Sequence, residues 1–322
     1  MKTMKSMLTL VFAALMLCGG AAKAQPHAPL IYHGGPVLER FRIFPLYFGN
    51  WSAAEQSAQQ NYLAGLAGYL SGNGAPANQQ PMMRQYGVVS ATVAAAHTAS
   101  PTATPVKLSP ADVLTIIHDN QRTGSLPNYS SNTLILLLPA HGFTLDITGG
   151  CAFHSSESPT SFFAVVPEDC AVALVSAHEI FEAAANPAGN GWDEAVDNCT
   201  TIFTPSFGAV PGAVDNTQGG TCSSTGFTKV PSAPSVASCA PVEVATFETR
   251  VHVRCTTAIN GIQFFAVLTA SRDNAARFLE VFSTAQAKSR GLHVFFDPAD
   301  LTGAFFGCSN ADCRVARGAE MF

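Results

Sequence analysis

The chain has 322 residues, of which 47% are apolar and 12% are charged. This composition is too apolar for a disordered chain, and the length is sufficient for two domains. A formal net charge of −5 argues against a nucleic-acid-binding protein.

The first 24 residues have the pattern of a secretory signal peptide. Lys2 and Lys5 form a basic start, and residues 7–17 are apolar except for one threonine. Residues 22–24 (Ala-Lys-Ala) match a small-x-small cleavage site, so we expect the mature chain to begin at Gln25. The apolar stretch and all later ones are too short to span a bilayer. The sequence thus predicts a periplasmic or extracellular protein that is not an integral membrane protein.

The number of cysteines also indicates an exported protein. Cleavage would remove Cys18 and leave eight cysteines, and an even number in an exported chain predicts disulfides. We expect them to join sequence neighbours, and Cys308 with Cys313 is the clearest pair.

Residues 25–225 are predicted to form a layered α/β domain, because strand-like and helix-like segments alternate. Ser109 and Asp112 approximate a helix capping box. The predicted strands are 41–48, 88–95, 133–138 and 162–166, and the predicted helices are 51–70, 109–121 and 169–185.

The composition changes near residue 207, where Gly, Ser, Thr and Pro become frequent and no hydrophobic period is visible. This stretch is either a disulfide-stapled loop or a linker, and we place the linker at residues 226–242.

Residues 243–322 are predicted to form a small, mainly β domain with one helix, for which an OB-like fold is one candidate. A strand with alternating polar and apolar residues places His252 on the exposed face. The other predicted elements are strands at 261–269 and 292–296, a helix at 273–289, and two short strands within 303–316.

The third predicted helix carries the main candidate site. His178 and Glu182 are one turn apart in the most apolar helix of the chain, where an unpaired carboxylate would be costly to bury. A following acidic loop, with Asp193, Glu194 and Asp197, could fold back over them. These five residues are the candidate ligands of a divalent metal ion.

This His-Glu-x-x-Glu string is similar to a zincin helix, in which two histidines hold zinc and the intervening glutamate activates water. The resemblance gives Glu179 the role of general base, while Glu182 replaces the second histidine. We expect zinc, which such a ligand set can still bind, and because the set is more anionic and harder, calcium and manganese are alternatives. His141 and His154 could each complete the site. The alternative is an ion pair between His178 and Glu182 with no metal.

Several motifs occur in the order found in the exordium, or phosphate-induced, proteins, which are secreted plant cell-wall proteins with bacterial relatives. They are YHGGPVL at 32–38, YFGNW at 47–51, CAFH at 151–154, ANPAGNGW at 185–192, and Cys170 and Cys199. The resemblance covers residues 30–225 and implies a secreted domain. It is closer to the bacterial relatives, which share the HExxE string that plant members lack. The C-terminal part resembles small exported bacterial β domains.

Together these patterns predict an exported protein with a divalent-metal site that acts as a peptidase-like hydrolase on peptide substrates. The alternative is a non-catalytic envelope or extracellular binding protein, in which a structural metal or an ion pair holds the loop and the partner is a cell-envelope component. A third reading is a secreted adhesion or effector module.

Overall fold

The computed structural model describes residues 29–100, 106–230 and 235–322, and the predicted signal peptide at residues 1–24 lies outside them. The described residues form a mixed α/β structure with four α-helices and two six-stranded sheets, besides several two-stranded ones.

Helices and strands are numbered separately, each series in chain order. The helices are α1 (Ala53–Leu70), α2 (Pro110–Arg122), α3 (Val172–Ala185) and α4 (Arg272–Ala287). The strands are β1 (Arg40–Phe48), β2 (Gln79–Pro81), β3 (Ser90–Val93), β4 (His97–Ala99), β5 (Lys107–Leu108), β6 (Thr133–Pro139), β7 (Thr144–Leu145), β8 (Phe153–Ser158), β9 (Ser161–Val165), β10 (Ile202–Phe203), β11 (Val210–Pro211), β12 (Val214–Asp215), β13 (Thr221–Cys222), β14 (Phe227–Lys229), β15 (Ser235–Cys239), β16 (Pro241–Thr246), β17 (Arg250–Ile259), β18 (Ile262–Leu268), β19 (Leu292–Phe296) and β20 (Cys313–Met321).

The first sheet has the order β3-β1-β6-β9-β8, and β4 also pairs with β1. All its pairs are parallel except the last, in which β8 runs antiparallel to β9 and forms an edge. Strand β6 is buried throughout because helices cover both faces. Leu136 packs in the cluster that includes α1 and α3, whereas Leu137 packs in the cluster that includes α2. The predicted layered α/β arrangement is therefore present.

Capping residues set where α1 and α2 begin. Ser52 and Glu55 form a capping box, so α1 starts at Ala53 rather than at the predicted residue 51. Ser109 and Asp112 form the same reciprocal pair at the start of α2, which confirms the sequence prediction.

The stretch after residue 207 is more ordered than a linker. Val210 and Val214 are fully buried in the core that covers the first sheet. Within the predicted linker, residues 226–242, β14 pairs with β2 and β15 forms an edge of the second sheet. Tertiary pairing thus gives regular structure to residues that have no hydrophobic period of their own.

The second sheet has the order β15-β19-β20-β18-β17-β16, and α4 packs on it through Phe278 and Phe282. The two short strands predicted within 303–316 are wrong. A 3₁₀ turn covers Thr302–Phe306, and one long strand, β20, starts only at Cys313.

The predicted exposure of His252 is also wrong. The residue is 7% exposed, and its ring packs between Phe247 and Phe264 with Glu243 Oε1 at 3.3 Å from Nε2. Side chains from the neighbouring strands β16 and β18 and from the loop between β16 and β17 cover the face that alternation alone assigns to solvent.

Four disulfides join sequence neighbours, which confirms the expected pairing: Cys151–Cys170, Cys199–Cys222, Cys239–Cys255 and Cys308–Cys313. Four disulfides in one chain are typical of an oxidising, exported environment. Among the helices of the described segments, none combines the length and apolar character needed to cross a membrane.

Candidate metal centre

Helix α3 positions the candidate site because it is buried on most sides. Its inner face packs with the first sheet and α1, where Ile180 and Phe181 are at most 1% exposed. The same burial reaches two acidic residues, since Glu179 is 6% exposed and Glu182 is 3% exposed. Carboxylates so far from water need cationic or hydrogen-bonding partners.

The first group of ligand atoms joins α3 to the loop after it. His178 Nε2 lies 3.0 Å from Glu182 Oε2 and 3.1 Å from Asp197 Oδ1. Ligand atoms of these three residues all lie within 4.8 Å of one another, so they could hold a metal ion. We call these three residues the His178 group.

Glu182 also fixes the loop that carries Asp197. Its Oε1 accepts hydrogen bonds from the backbone N–H groups of Val196 at 3.3 Å and Asp197 at 3.1 Å. Its Oε2 is therefore the atom directed at His178. One buried carboxylate both anchors the loop and contributes to the His178 group.

A second group forms around His154 on the edge strand β8. His154 pairs with Ala164 of β9, a residue in the α1- and α3-side core, and this register places His154 on the face that α3 covers. Its Nδ1 lies 3.3 Å from Glu179 Oε2 and 4.0 Å from Glu182 Oε2. Ligand atoms of these three residues, the His154 group, also lie within 4.8 Å of one another. Glu182 belongs to both groups.

Glu194 lies on the other side of the His154 ring. Its Oε1 is 3.9 Å from His154 Nε2 and accepts a hydrogen bond of 2.9 Å from Asn186 Nδ2. Its Oε2 is buried and has no hydrogen-bond partner among the described residues. Such an oxygen carries a desolvation penalty that a donor or a cation would relieve.

The loop between α3 and Asp197 is held by close packing at its start. Asn186 Oδ1 accepts a hydrogen bond of 2.7 Å from the backbone N–H of Gly191. A Cβ on Gly191 would collide with the carbonyl oxygen of Ala185, so only glycine fits. Trp192, 3% exposed, then donates from Nε1 to the carbonyl oxygen of Tyr86 at 3.0 Å.

Disulfides tie down both segments that approach α3. Cys151–Cys170 joins the residues just before β8 to the start of α3, and His154 follows Cys151 by three positions. Cys199–Cys222 holds the loop two positions after Asp197. These covalent links restrict how far the two groups can open.

The carboxylates clustered around His178 and His154 shift the pKa of both histidines. For His178, burial lowers the pKa, but the hydrogen bond to Glu182 and the charges of Glu182, Glu179 and Asp197 outweigh it and raise the pKa to about 9. For His154, burial also lowers the pKa, and Glu179, Glu194 and Glu182 together raise it above its ordinary value. Burial raises the pKa of Glu194.

Among the candidates predicted from the sequence, His178, Glu182 and Asp197 come together, and Glu194 lies beside His154. Asp193 points elsewhere: its carboxylate accepts from Ile31 N and contacts His33 Nε2 at 2.7 Å. Glu179 lies in the His154 group.

Of the two further candidate histidines, only one lies at the site. His154 joins the site, whereas His141 is exposed and contacts Asp169 Oδ1 at 2.5 Å. No strand is predicted at residues 153–158, so the alternation that directs Phe153 toward the opposite core and His154 toward α3 is visible only in the structure.

A scan of the sequence against protein-family models gave no match, and a search of curated proteins gave none either.

Proposed function

We propose that this chain is an exported, divalent-metal-dependent hydrolase of the peptidase type, with its metal held by the His178 group. The observation that carries the proposal is the approach of His178 Nε2 to within 3.0 Å of Glu182 Oε2 and 3.1 Å of Asp197 Oδ1. Insertion of a shared ion would move these atoms slightly apart and replace the direct contacts with metal–ligand bonds.

The donor set fits a borderline or hard divalent ion. One imidazole nitrogen and two carboxylate oxygens occur in zinc sites and suit manganese and calcium as well. We propose zinc, with manganese and calcium as the alternatives. Three protein ligands leave an open coordination position, which a hydrolytic site requires. When bound, the ion would polarise a carbonyl group and activate water.

Two carboxylates adjoin the His178 group and could accept the proton of the attacking water. Glu179, predicted from the sequence as the general base, follows His178 on α3 and contacts His154 Nδ1 at 3.3 Å. Glu194 lies on the same loop as Asp197 and keeps one oxygen without a partner among the described residues. Replacing each in turn identifies the acceptor.

The exordium-like motifs support an extracellular role. Residues 32–38 pack on the loop that starts the site, since His33 N donates to Gly191 O and Gly35 N donates to Asn190 O, both at 2.7 Å. The motif at residues 32–38 thus supports the loop that carries Glu194 and Asp197. We further propose that the chain belongs to a bacterial branch of that family, that residues 1–24 are a signal peptide and that the C-terminal part has an OB-like fold.

Metal analysis of the purified protein, followed by hydrolysis assays on broad peptide libraries, tests the function. Glu179→Gln and Glu194→Gln should each keep the ion of the His178 group, and the variant that loses hydrolysis while keeping all the metal of the wild type identifies the proton acceptor. Glu182→Ala should release the ion.

The alternatives have distinct outcomes. Bound metal with an inert wild-type protein would favour the non-catalytic envelope-binding protein. A protein that binds no metal would leave only an ion pair between His178 and Glu182.

A further inference from the structure

We propose that the centre takes two divalent cations, with Glu182 as the ligand they share. The second cation would be held by the His154 group, through His154 Nδ1, Glu179 and Glu182. This inference rests on the proposed function, because it adds a second ion beside that of the His178 group.

Glu182 Oε2 is positioned between two imidazoles. It lies 3.0 Å from His178 Nε2 and 4.0 Å from His154 Nδ1. An oxygen in this position can bind one cation on each side, and paired metal ions in hydrolases lie about 3.5–4 Å apart. The two histidines come from different elements, α3 and β8, so each offers its own cation an independent nitrogen ligand.

The net charge of the cluster also favours two cations. Glu179, Glu182, Glu194 and Asp197 surround the two histidines, and a metal-bound histidine is neutral. With all four carboxylates ionised, one dication at the His178 group leaves a net negative charge whether or not His154 is protonated, and two dications leave none. Since Glu179 and Glu182 are nearly inaccessible to water, their uncompensated charge would be the costliest to leave.

Glu194, which is outside both groups, also supports a second cation. Its Oε1 lies 3.9 Å from His154 Nε2, the nitrogen that the second cation would not use. Histidine ligands usually have a carboxylate at the far nitrogen, which fixes the ring and strengthens the metal-bound nitrogen as a donor. Asn186 holds Glu194 from behind at 2.9 Å. In the two-cation centre Glu179 is a ligand, which leaves Glu194 as the proton acceptor.

The cation count per chain tests the proposal. The disulfide-intact protein is dialysed against Zn²⁺ or Mn²⁺ and analysed by inductively coupled plasma mass spectrometry. We expect two ions in the wild type, and one in His154→Gln and in Glu179→Gln. The matched control is His141→Gln, because His141 also contacts a carboxylate but lies outside both groups; it should keep two. Thermal melting checks that each variant is folded.

A spectroscopic measurement on the wild type makes the test independent of the variants. Two Mn²⁺ ions sharing a carboxylate should give an exchange-coupled paramagnetic resonance spectrum, whereas an isolated ion gives six lines. One ion per chain with six lines would overturn the second site and leave the proposed function standing. No bound ion would overturn both. Loss of an ion in His141→Gln would show adventitious surface binding and overturn the second site.

Discussion

His178 Nε2 on α3 and Asp197 Oδ1 on the following loop lie 3.1 Å apart. This contact requires the chain to reverse direction after Ala185 and return along the helix. The backbone N–H of Asp197 donates to Glu182 Oε1 at 3.1 Å. The returning loop is therefore held by a residue on the helix face that the loop covers. Loop position and ligand geometry are therefore coupled.

The first prediction concerns Asp197. Asp197→Asn should weaken divalent-metal binding by at least about tenfold, because a charged ligand becomes neutral. The side chain is 61% exposed, so stability should change little. The matched control is Asp146→Asn, at a residue that is equally exposed and paired with Lys107. Isothermal titration calorimetry measures both affinities, and equal losses in the two variants would contradict a specific role for Asp197.

The second prediction concerns the Cys151–Cys170 disulfide. Replacing both cysteines by alanine should lower the free energy of unfolding by about 3 kcal/mol. Without the covalent loop the unfolded chain has more conformational entropy, which favours unfolding. The replacement should also weaken metal binding, since the bond holds β8 and His154 against α3.

The matched comparison is removal of Cys308–Cys313, which closes a much shorter loop in the C-terminal part. That double variant should lose stability through its core contacts and keep its metal affinity. Urea unfolding and calorimetry on both proteins check the pair. Unchanged metal affinity without Cys151–Cys170 would show that packing alone positions His154.

The third prediction is a pH dependence. The folded-state pKa of His178 is raised to about 9, so its carboxylate partners stabilise the protonated native state. In the metal-free protein this stabilisation is complete below pH 6.5 and is lost as the pH rises to about 9. The loss should be on the order of 1–3 kcal/mol, and His178→Gln should flatten the slope.

Metal reverses the sign of this dependence. The cation displaces the proton from His178, so metal-loaded protein should gain stability as the pH rises and protons compete less. Urea titrations at several pH values, with and without chelator, measure both slopes. A rising slope in the metal-free protein would contradict the pairing of His178 with Glu182 and Asp197.

Much of the fold could be predicted because local signals agreed with it. The capping box at Ser109 fixed the start of α2, and the continuous apolar run of β6 indicated a strand covered on both faces. Prediction failed where neighbours decide the environment: the aromatic rings of Phe247 and Phe264 bury His252.

The candidate site shows the same division. Helical spacing alone placed His178 and Glu182 on one face, and the acidic loop supplied Asp197. The sequence could not show which of Asp193 and Glu194 lies at the site. The two side chains point to different partners: Asp193 pairs with His33, and Glu194 faces His154. The approach of His154 depends on β9–β8 register and on α3 packing, which are long-range features.

The fourth prediction tests whether the loop turn controls the metal centre. In Gly191→Ala the new Cβ would collide with the carbonyl oxygen of Ala185 and stand 2.9 Å from that of Pro36. Both obstacles are backbone, so the loop has to move; we expect a loss of roughly 2–3 kcal/mol in unfolding free energy. Metal affinity should fall as well, because the displaced loop carries Glu194 and Asp197.

The control lies two residues away. Gly189 has a φ of 74° and would bring a Cβ into open space, so Gly189→Ala should cost only about 1 kcal/mol of backbone strain. Its metal affinity should match the wild type, since nothing near the ligands moves. Calorimetry and urea unfolding compare the two variants directly. If Gly191→Ala kept full metal affinity despite its lost stability, the ligands would be positioned by Glu182 and the Cys199–Cys222 disulfide alone, and the turn would serve only folding.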